Sequence, residues 1–506
     1  MRATTWAKLL RNTLGQYLTT AISVLTGLGL VPFIVSHIGL PNFGLWALVS
    51  GLFGTMGLLD AGLAPTLTKK SAELLAHDDR DRLSHTASGI LTLYIIAGAI
   101  AFLVLCVLAV FARALFHVSA ESIGTFRLIL MIVAVQLAVS FPLSTWNGIT
   151  AGLQDYHVSS AITLAINLLK FLATVILLKL GFGLLSLIWL GLAMSCLGGL
   201  AYVAWIKHRL PALCLRPSFR YLNQIGELGR FSGSMFIWGV AGRIVLESDR
   251  IIIGLFMPMT AVGIYEIGLR ICNYSKNVLY PVFTFLPAAA DLSARNETER
   301  LQGLYLIGTK YFGLLYAFVA SGIFLFGRQF IHLWMGPGFE TSVLVLFILL
   351  AGNIYQSQNV VAHVLLPGMG RLRVFTWIMA AYPVLNLSLS VIFIQLWGLV
   401  GVALATTATY FLAETVFFFF ISRIFDLKLS RIIWSCHLPV LAILTPAVVV
   451  SLQFKALVPQ QSWSSLIGGA VVFSVCFAAA LLTYGMFGAE RERIRALAAR
   501  LIPRPA

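Results

Sequence analysis

Charge is scarce in this chain. Asp, Glu, Lys and Arg make up 11% of its 506 residues, whereas a soluble globular domain carries about a quarter. That shortage excludes an ordinary soluble fold. Runs of short alternating strands are also missing, which removes the closed β-barrel, the other structure able to span a bilayer. No G-x-x-x-x-G-K-[ST] phosphate loop occurs, so no ATP is expected to be hydrolysed here. The nine histidines show no H-E-x-x-H or paired-ligand spacing, and no G-x-S-x-G elbow appears; neither metal, cofactor nor covalent catalysis is expected. Outer loops are short, the longest running from about Arg113 to Thr125, too small for a catalytic domain. The six cysteines (Cys106, Cys196, Cys214, Cys272, Cys436, Cys476) form no C-x-x-C pair and read as free thiols.

What is present is apolar. Hydrophobic residues make up 59% of the chain, gathered into runs long enough to cross a bilayer as helices. The pattern predicts an all-α polytopic membrane protein with about 14 spans. Among these are span one (13–36), two (43–64), five (158–180), seven (231–257), eight (261–288), ten (342–366) and eleven (375–396). The apolar run after MRATTWAKLLRN is too long for a signal-peptide core and is expected to stay in the protein. The net charge of +16 comes mostly from loops on one side of these spans. That bias puts both termini in the cytoplasm and speaks for anionic inner-leaflet lipid instead of nucleic acid. The tail from Ala489 to Pro503 reads as a basic amphipathic segment on the inner leaflet.

The loop 207–230, with Pro211, Pro217 and five cations, reads as a linker between two similar blocks. Asn42-Phe43-Gly44-Leu45-Trp46 is echoed by Ala261-Val262-Gly263-Ile264-Tyr265, and Asn167-Leu168 by Asn386-Leu387. Both pairs are 219 residues apart (263 − 44 and 386 − 167). The expected organisation is therefore a six-helix lobe at 1–206, the linker at 207–230 and a pseudo-symmetric six-helix lobe at 231–422. Two further helices and a basic tail fill 423–506.

The most unusual stretch is GRIVLESDRIIIG, Gly242 to Gly254, in the middle of span seven. Each charge at the centre of a span costs about 2.5–3.5 kcal/mol on insertion scales, so these must face protein or water. Arg243, Glu247 and Arg250 share a sector of about 60° while Asp249 points elsewhere and needs a partner on another helix. Either the ladder lines a path through the membrane, or it is a self-paired stripe that locks helices together. By the 219-residue offset these charges align with apolar residues of the first block, which favours the first account. Span eight adds Glu266, Arg270, Asn273 and Asn277 on one face, with Lys276 and Tyr280 beside it; a Glu266–Arg270 pair would leave Lys276 spare. Four cations against three anions on these two spans suit an anionic ligand. Span ten carries Asn353, Gln356, Ser357, Gln358 and Asn359, more amides than lipid tolerates. Lys170 is the one deep cation of the first block. Asn12, Gln16, Thr19, Ser23 and Thr26 make a polar stripe on span one, readable as packing glue or as a cavity wall. Gly51, Gly54 and Gly57 allow another helix to approach span two, and Asp60 near its end is an ion site or a hydrated carboxylate.

Phe43-Gly44-Leu45-Trp46-Ala47-Leu48-Val49, Gly57-Leu58-Leu59-Asp60-Ala61-Gly62-Leu63-Ala64 and Ser248-Asp249-Arg250-Ile251-Ile252-Ile253-Gly254 resemble the polysaccharide transport family of the multidrug/oligosaccharidyl-lipid/polysaccharide exporter superfamily, which includes Wzx-type O-antigen flippases. The resemblance covers roughly residues 10–488. It implies two six-helix lobes plus two C-terminal helices around a central cavity. It also implies translocation of an undecaprenyl-diphosphate-linked saccharide across the bacterial inner membrane, powered by H+ or Na+ or by the membrane potential. Polysaccharide polymerase and assembly proteins are the implied partners. The cationic cavity residues of such proteins correspond to Arg243, Arg250, Arg270 and Lys276, with Asn273, Asn277, Lys170, Gln16, Asn353 and Gln356 as further substrate contacts. Asp60, Glu247, Asp249 and Glu266 are the candidates for ion coupling. A multidrug antiporter and a lipid II flippase of the same superfamily are the rivals, with a membrane glycosyltransferase or polymerase further off.

Overall fold

A computed structural model describes residues 2–60, 62–220, 229–370, 372–458 and 462–484, with the side chains of 2–19, 229–239, 280, 281, 283, 284, 286–288, 372–375 and 484 outside the description. The described chain is helical. In order it runs α1 (Arg2–Met56), a 3-10 turn (Gly57–Asp60), α2 (Leu63–Ala76), α3 (Arg80–Leu115), α4 (Ile123–Gly152), α5 (Tyr156–Lys179) and α6 (Leu184–Arg209). Next come α7 (Gly229–Phe256), α8 (Met259–Lys276), a 3-10 segment (Asn277–Thr284), α9 (Phe285–Ala294), α10 (Thr298–Met335) and α11 (Glu340–Ser357). The chain then continues through α12 (Val360–Gly368), α13 (Leu372–Ile424), α14 (Leu429–Ile432), a π segment (Ile433–His437), α15 (Leu438–Leu457) and α16 (Trp463–Tyr484).

Among the described residues ten helices are long and apolar enough to cross a membrane. Two of them, α1 and α13, are each a pair of helices joined at a glycine of positive φ, Gly39 (φ 79°) and Gly398 (φ 58°). Side chains are strained in that region and glycine is not, so one residue suffices to turn the chain. Counting α1 and α13 as two spans each and adding α7 and α8 gives the fourteen spans expected. Their exposed faces carry large apolar residues such as Leu103, Val110, Leu172, Trp377, Leu441 and Ile467, as a surface solvated by lipid requires.

The helices gather into two compact units. The first is Met1–Ile267 with Met379–Val402; the second is Gly268–Ile378 with Ala403–Ala506. In the first, α3 and α4 pack along their lengths and α2 lies across α4. The short helix α2 ends at His77 and is followed by Asp79, whose side chain caps α3 at the Arg82 amide (3.1 Å). Part of the basic linker is tied down on α3: the Arg216 and Ser218 amides donate to Ser88 and Thr92 hydroxyls at 3.0 and 2.8 Å. In the second unit, α10, α15 and α16 share a core of Leu314, Phe326, Ile443, Leu444, Ala447 and Phe473.

The internal repeat has a physical signature. Asn167 donates to Ser23 at 3.0 Å, joining α5 to α1, and Asn386 accepts from Ser248 at 3.2 Å, joining α13 to α7. The two asparagines matched by the sequence offset thus make the same contact, each to a serine on the helix that opens its block. The serines differ by 225 positions (248 − 23), so the constant 219-residue offset slips by six on these helices. The corrected match still sets Arg243, Glu247, Asp249 and Arg250 against apolar Leu18, Ile22, Val24 and Leu25.

Candidate functional site

The glycines of span two and the charges of span seven turn out to be one feature. The second half of α1 and the 3-10 turn after it present Gly44, Gly51, Gly54 and Gly57 to α7 and the start of α8. A Cβ on Gly51 would lie 3.1 Å from Arg250 Cδ, one on Gly54 2.6 Å from Glu247 Cδ, and one on Gly57 2.7 Å from Arg243 Nη1. Each step of the glycine stripe therefore seats one rung of the ionic ladder. Gly44 lies against the Met259 carbonyl and Gly263, its own counterpart in the repeat. A side chain at Gly44 would meet backbone and force the helices apart, whereas one at Gly54 or Gly57 would displace the head of Glu247 or Arg243.

Along the ladder the charges alternate in sign. Glu266 on α8 accepts from Arg250 Nε at 2.6 Å, and Arg250 Nη1 pairs with Glu247. The Arg243 charge acts on both Glu247 and Asp60, and Asp60 accepts a hydrogen bond from the buried Tyr94 hydroxyl. The order is carboxylate, guanidinium, carboxylate, guanidinium, carboxylate. Burial differs sharply along it: Glu266 is 2% exposed and Arg250 is nearly buried, while Arg243 is exposed. Asp249, 2% exposed, accepts from the buried Tyr265 hydroxyl at 2.5 Å. It finds its partner on the next helix, as its direction required.

This arrangement changes the charge balance read from the sequence. Arg250 is held between two carboxylates and is saturated, which is the self-paired account of the ladder for that residue. With Asp60 included, the first unit sets two cations, Arg243 and Arg250, against four carboxylates. The cationic excess expected of spans seven and eight rests on Arg270 and Lys276, which belong to the second unit. Lys170 on α5 is exposed. Of the span-one stripe, Ser23 bonds Asn167 and Thr26 bonds its own Ile22 carbonyl at 2.8 Å, which is packing glue. The Asn12, Gln16 and Thr19 side chains lie outside the described residues, as do the tail 489–503 and the Tyr280 side chain.

In the second unit one face of α8 is fastened to three helices. Cys272 accepts from Asn353 of α11 at 2.6 Å, Ser275 bonds Tyr316 of α10 at 3.1 Å, and Lys276 donates to the Tyr410 hydroxyl of α13 at 3.3 Å. The Lys276 ammonium also stands 5.3 Å from the Tyr410 ring centroid, a cation–π distance. Lys276 is thus engaged, not spare. Arg270, Asn273, Asn277 and Gln356 are half-buried nearby in sequence on α8, the 3-10 segment and α11.

Sequence reasoning passed over Tyr410, His363 and Glu414. Glu414 is 1% exposed inside α13, where Asn359 Nδ2 donates to its Oε2 at 2.9 Å and His363 Nε2 lies 3.1 Å from the same oxygen. The rule that singled out span seven, a lone ionisable group in an apolar span, marks Glu414 equally well.

Residues 38–344 match the family described as polysaccharide biosynthesis protein. A probable low-salt glycan biosynthesis flippase of Haloferax volcanii is 25% identical over 250 residues, 48% of this chain; the chain covers 52% of that relative's length. A Shigella flexneri protein provisionally named as an O-antigen transporter is 20% identical over 78% of this chain and 94% of its own. Among solved structures, an inward-facing multidrug transporter of the exporter superfamily superposes with a TM-score of 0.69 at 18% identity, over 80% of this chain and 94% of its own. A lipid II flippase in an inward closed conformation gives 0.66 at 11%, over 93% and 98%. These last two establish the fold. The chain belongs to the polysaccharide biosynthesis protein family and is a multi-pass membrane protein with the fold of these two solved transporters.

Proposed function

We propose that the protein carries a prenyl-diphosphate-linked oligosaccharide, such as an O-antigen or polysaccharide repeat unit, across the bacterial inner membrane by alternating access. Both termini are then cytoplasmic. The observation that carries this reading is Arg243, an exposed guanidinium on a membrane-spanning helix whose neighbour Arg250 is already neutralised. A mid-span cation left exposed must meet water or an anionic ligand. A diphosphate or an acidic sugar supplies that charge, while the prenyl tail stays in lipid. Arg270, Lys276, Asn273, Asn277, Lys170, Gln16, Asn353 and Gln356 are the further substrate contacts proposed. Asp60 and Glu247, which flank Arg243, are the first candidates among Asp60, Glu247, Asp249 and Glu266 for coupling transport to H+ or Na+. The names of the Haloferax and Shigella relatives support the saccharide class. Deletion in the native host tests it: a lipid-linked glycan should accumulate on the cytosolic leaflet and be cleared by the wild-type gene. A deletion strain with no accumulated lipid-linked glycan would defeat the reading.

One observation favours a second reading. The first unit's two cations against four carboxylates suit a cationic drug, as in a multidrug antiporter. Drug resistance that depends on Glu247 or Glu266 would select it.

A further inference from the structure

The second unit holds a cluster that the ladder does not use. On α12, Asn359 and His363 lie one turn apart and both reach Glu414 of α13 through its Oε2. The Asn359 amide also donates to the Glu414 backbone carbonyl at 3.1 Å. The His363 ring sits edge-on to Phe417, centroids 4.4 Å apart, which fixes its orientation. Asn359 is 2% exposed and Glu414 1%. Two oxygens of this cluster, Glu414 Oε1 and Asn359 Oδ1, are buried without any hydrogen-bond partner.

Buried polar atoms are nearly always satisfied, and an orphaned carboxylate oxygen is among the costliest exceptions. Two acceptors orphaned in one cluster lack a donor. One proton supplies it. We propose that Glu414, with His363 and Asn359, forms a buried proton-exchange site. Glu414 Oε1 takes up one proton from water to become a carboxylic acid, and releases it to water again. His363 biases that exchange through its contact to the other carboxyl oxygen.

Other titratable groups stand on the elements around it. The helices packed on α12 contribute Asp291 of α9, paired with Arg295, and the buried Lys310 of α10. Tyr355 of α11 bonds Thr415 at 2.7 Å, next to Glu414, and the His437 ring lies 6.1 Å from that of Phe418. These groups are unchanged in the comparison of variants below.

The test is infrared difference spectroscopy of the purified full-length protein in lipid vesicles, without substrate, between about pH 8 and about pH 5. Wild type should show a protonated-carboxyl band that grows on acidification, and Glu414→Gln, which keeps the Asn359 contact, should lose it. His363→Gln should move the band's midpoint by about one pH unit, tenfold in proton affinity. A Glu414→Gln difference spectrum identical to wild type would overturn the proposal. So would a Glu414-dependent band that follows sodium at fixed pH. If Glu414→Gln does not elute as a monodisperse species, His363→Gln decides: an unchanged midpoint overturns it. This inference stands apart from the glycan reading. A chain with the band but no effect on lipid-linked glycan loses the function and keeps the site; the converse loses only the site.

Discussion

Arg250 and Arg243 stand two turns apart on one face of α7, and the structure assigns them opposite consequences when removed. Arg250→Met deletes the one cation between Glu247 and Glu266 and keeps most of the side-chain volume. Glu266 is buried and would lose its 2.6 Å guanidinium partner. Breaking a buried ion pair from one side costs about 3–5 kcal/mol, a large part of the roughly 5–15 kcal/mol that holds a folded domain. Arg243→Met removes an exposed cation that makes no close ion pair among the described residues, and about 1 kcal/mol at most is at stake. The assay is thermal unfolding of detergent-solubilised protein, read alongside surface polysaccharide in a complemented deletion strain. Arg250→Met should melt much earlier and lose export through loss of protein. Arg243→Met should melt near wild type and lose export regardless. Pairing Arg250→Met with Glu266→Gln should recover part of the stability, since the buried carboxylate that lost its guanidinium is then neutral. Equal melting of the two single variants, or full export by Arg243→Met, would refute the reasoning.

Gly54→Leu would drive a side chain into Glu247 and Gly44→Ala a methyl group into the Met259 carbonyl; both should destabilise by about 1–3 kcal/mol, measured by the same melts, whereas Gly242→Ala, with open space around it, should be near neutral. Tyr265→Phe strips a hydrogen bond from buried Asp249 and should cost about 1–3 kcal/mol; an unchanged melting temperature would show that Asp249 is satisfied without it. Asn386→Ala and Asn167→Ala break equivalent contacts to Ser248 and Ser23, and each should destabilise by a similar amount, about 1 kcal/mol, read in the same melts.

The fold was legible because bilayers impose few solutions: long apolar runs, a one-sided loop charge and a repeat gave the span number and the duplication. The glycines of span two were legible as a contact surface, since only close helix approach explains Gly51, Gly54 and Gly57 at that spacing. Which helix they receive was not, because periodicity gives the face of a helix and not its neighbour. For the same reason the ladder's pairing was misjudged in part. Arg250 has two carboxylate partners, one of them on α8, and Asp60, by sequence an ion site or a hydrated carboxylate, joins the set. Lys276 looked spare because its partner is the neutral Tyr410, invisible to charge counting. Glu414 is not legible as a site because it stands alone on its own helix and its companions, Asn359 and His363, come from α12 and the turn before it.

The central claim is that Arg243 faces water inside the membrane on the route of an anionic headgroup. The direct measurement is labelling of Arg243→Cys by a membrane-impermeant thiol reagent, in a chain whose six cysteines have been replaced. The account predicts prompt labelling that slows when the lipid-linked glycan is supplied. A thiol that stays unlabelled from both sides of the membrane, in a protein that melts like wild type, would contradict it.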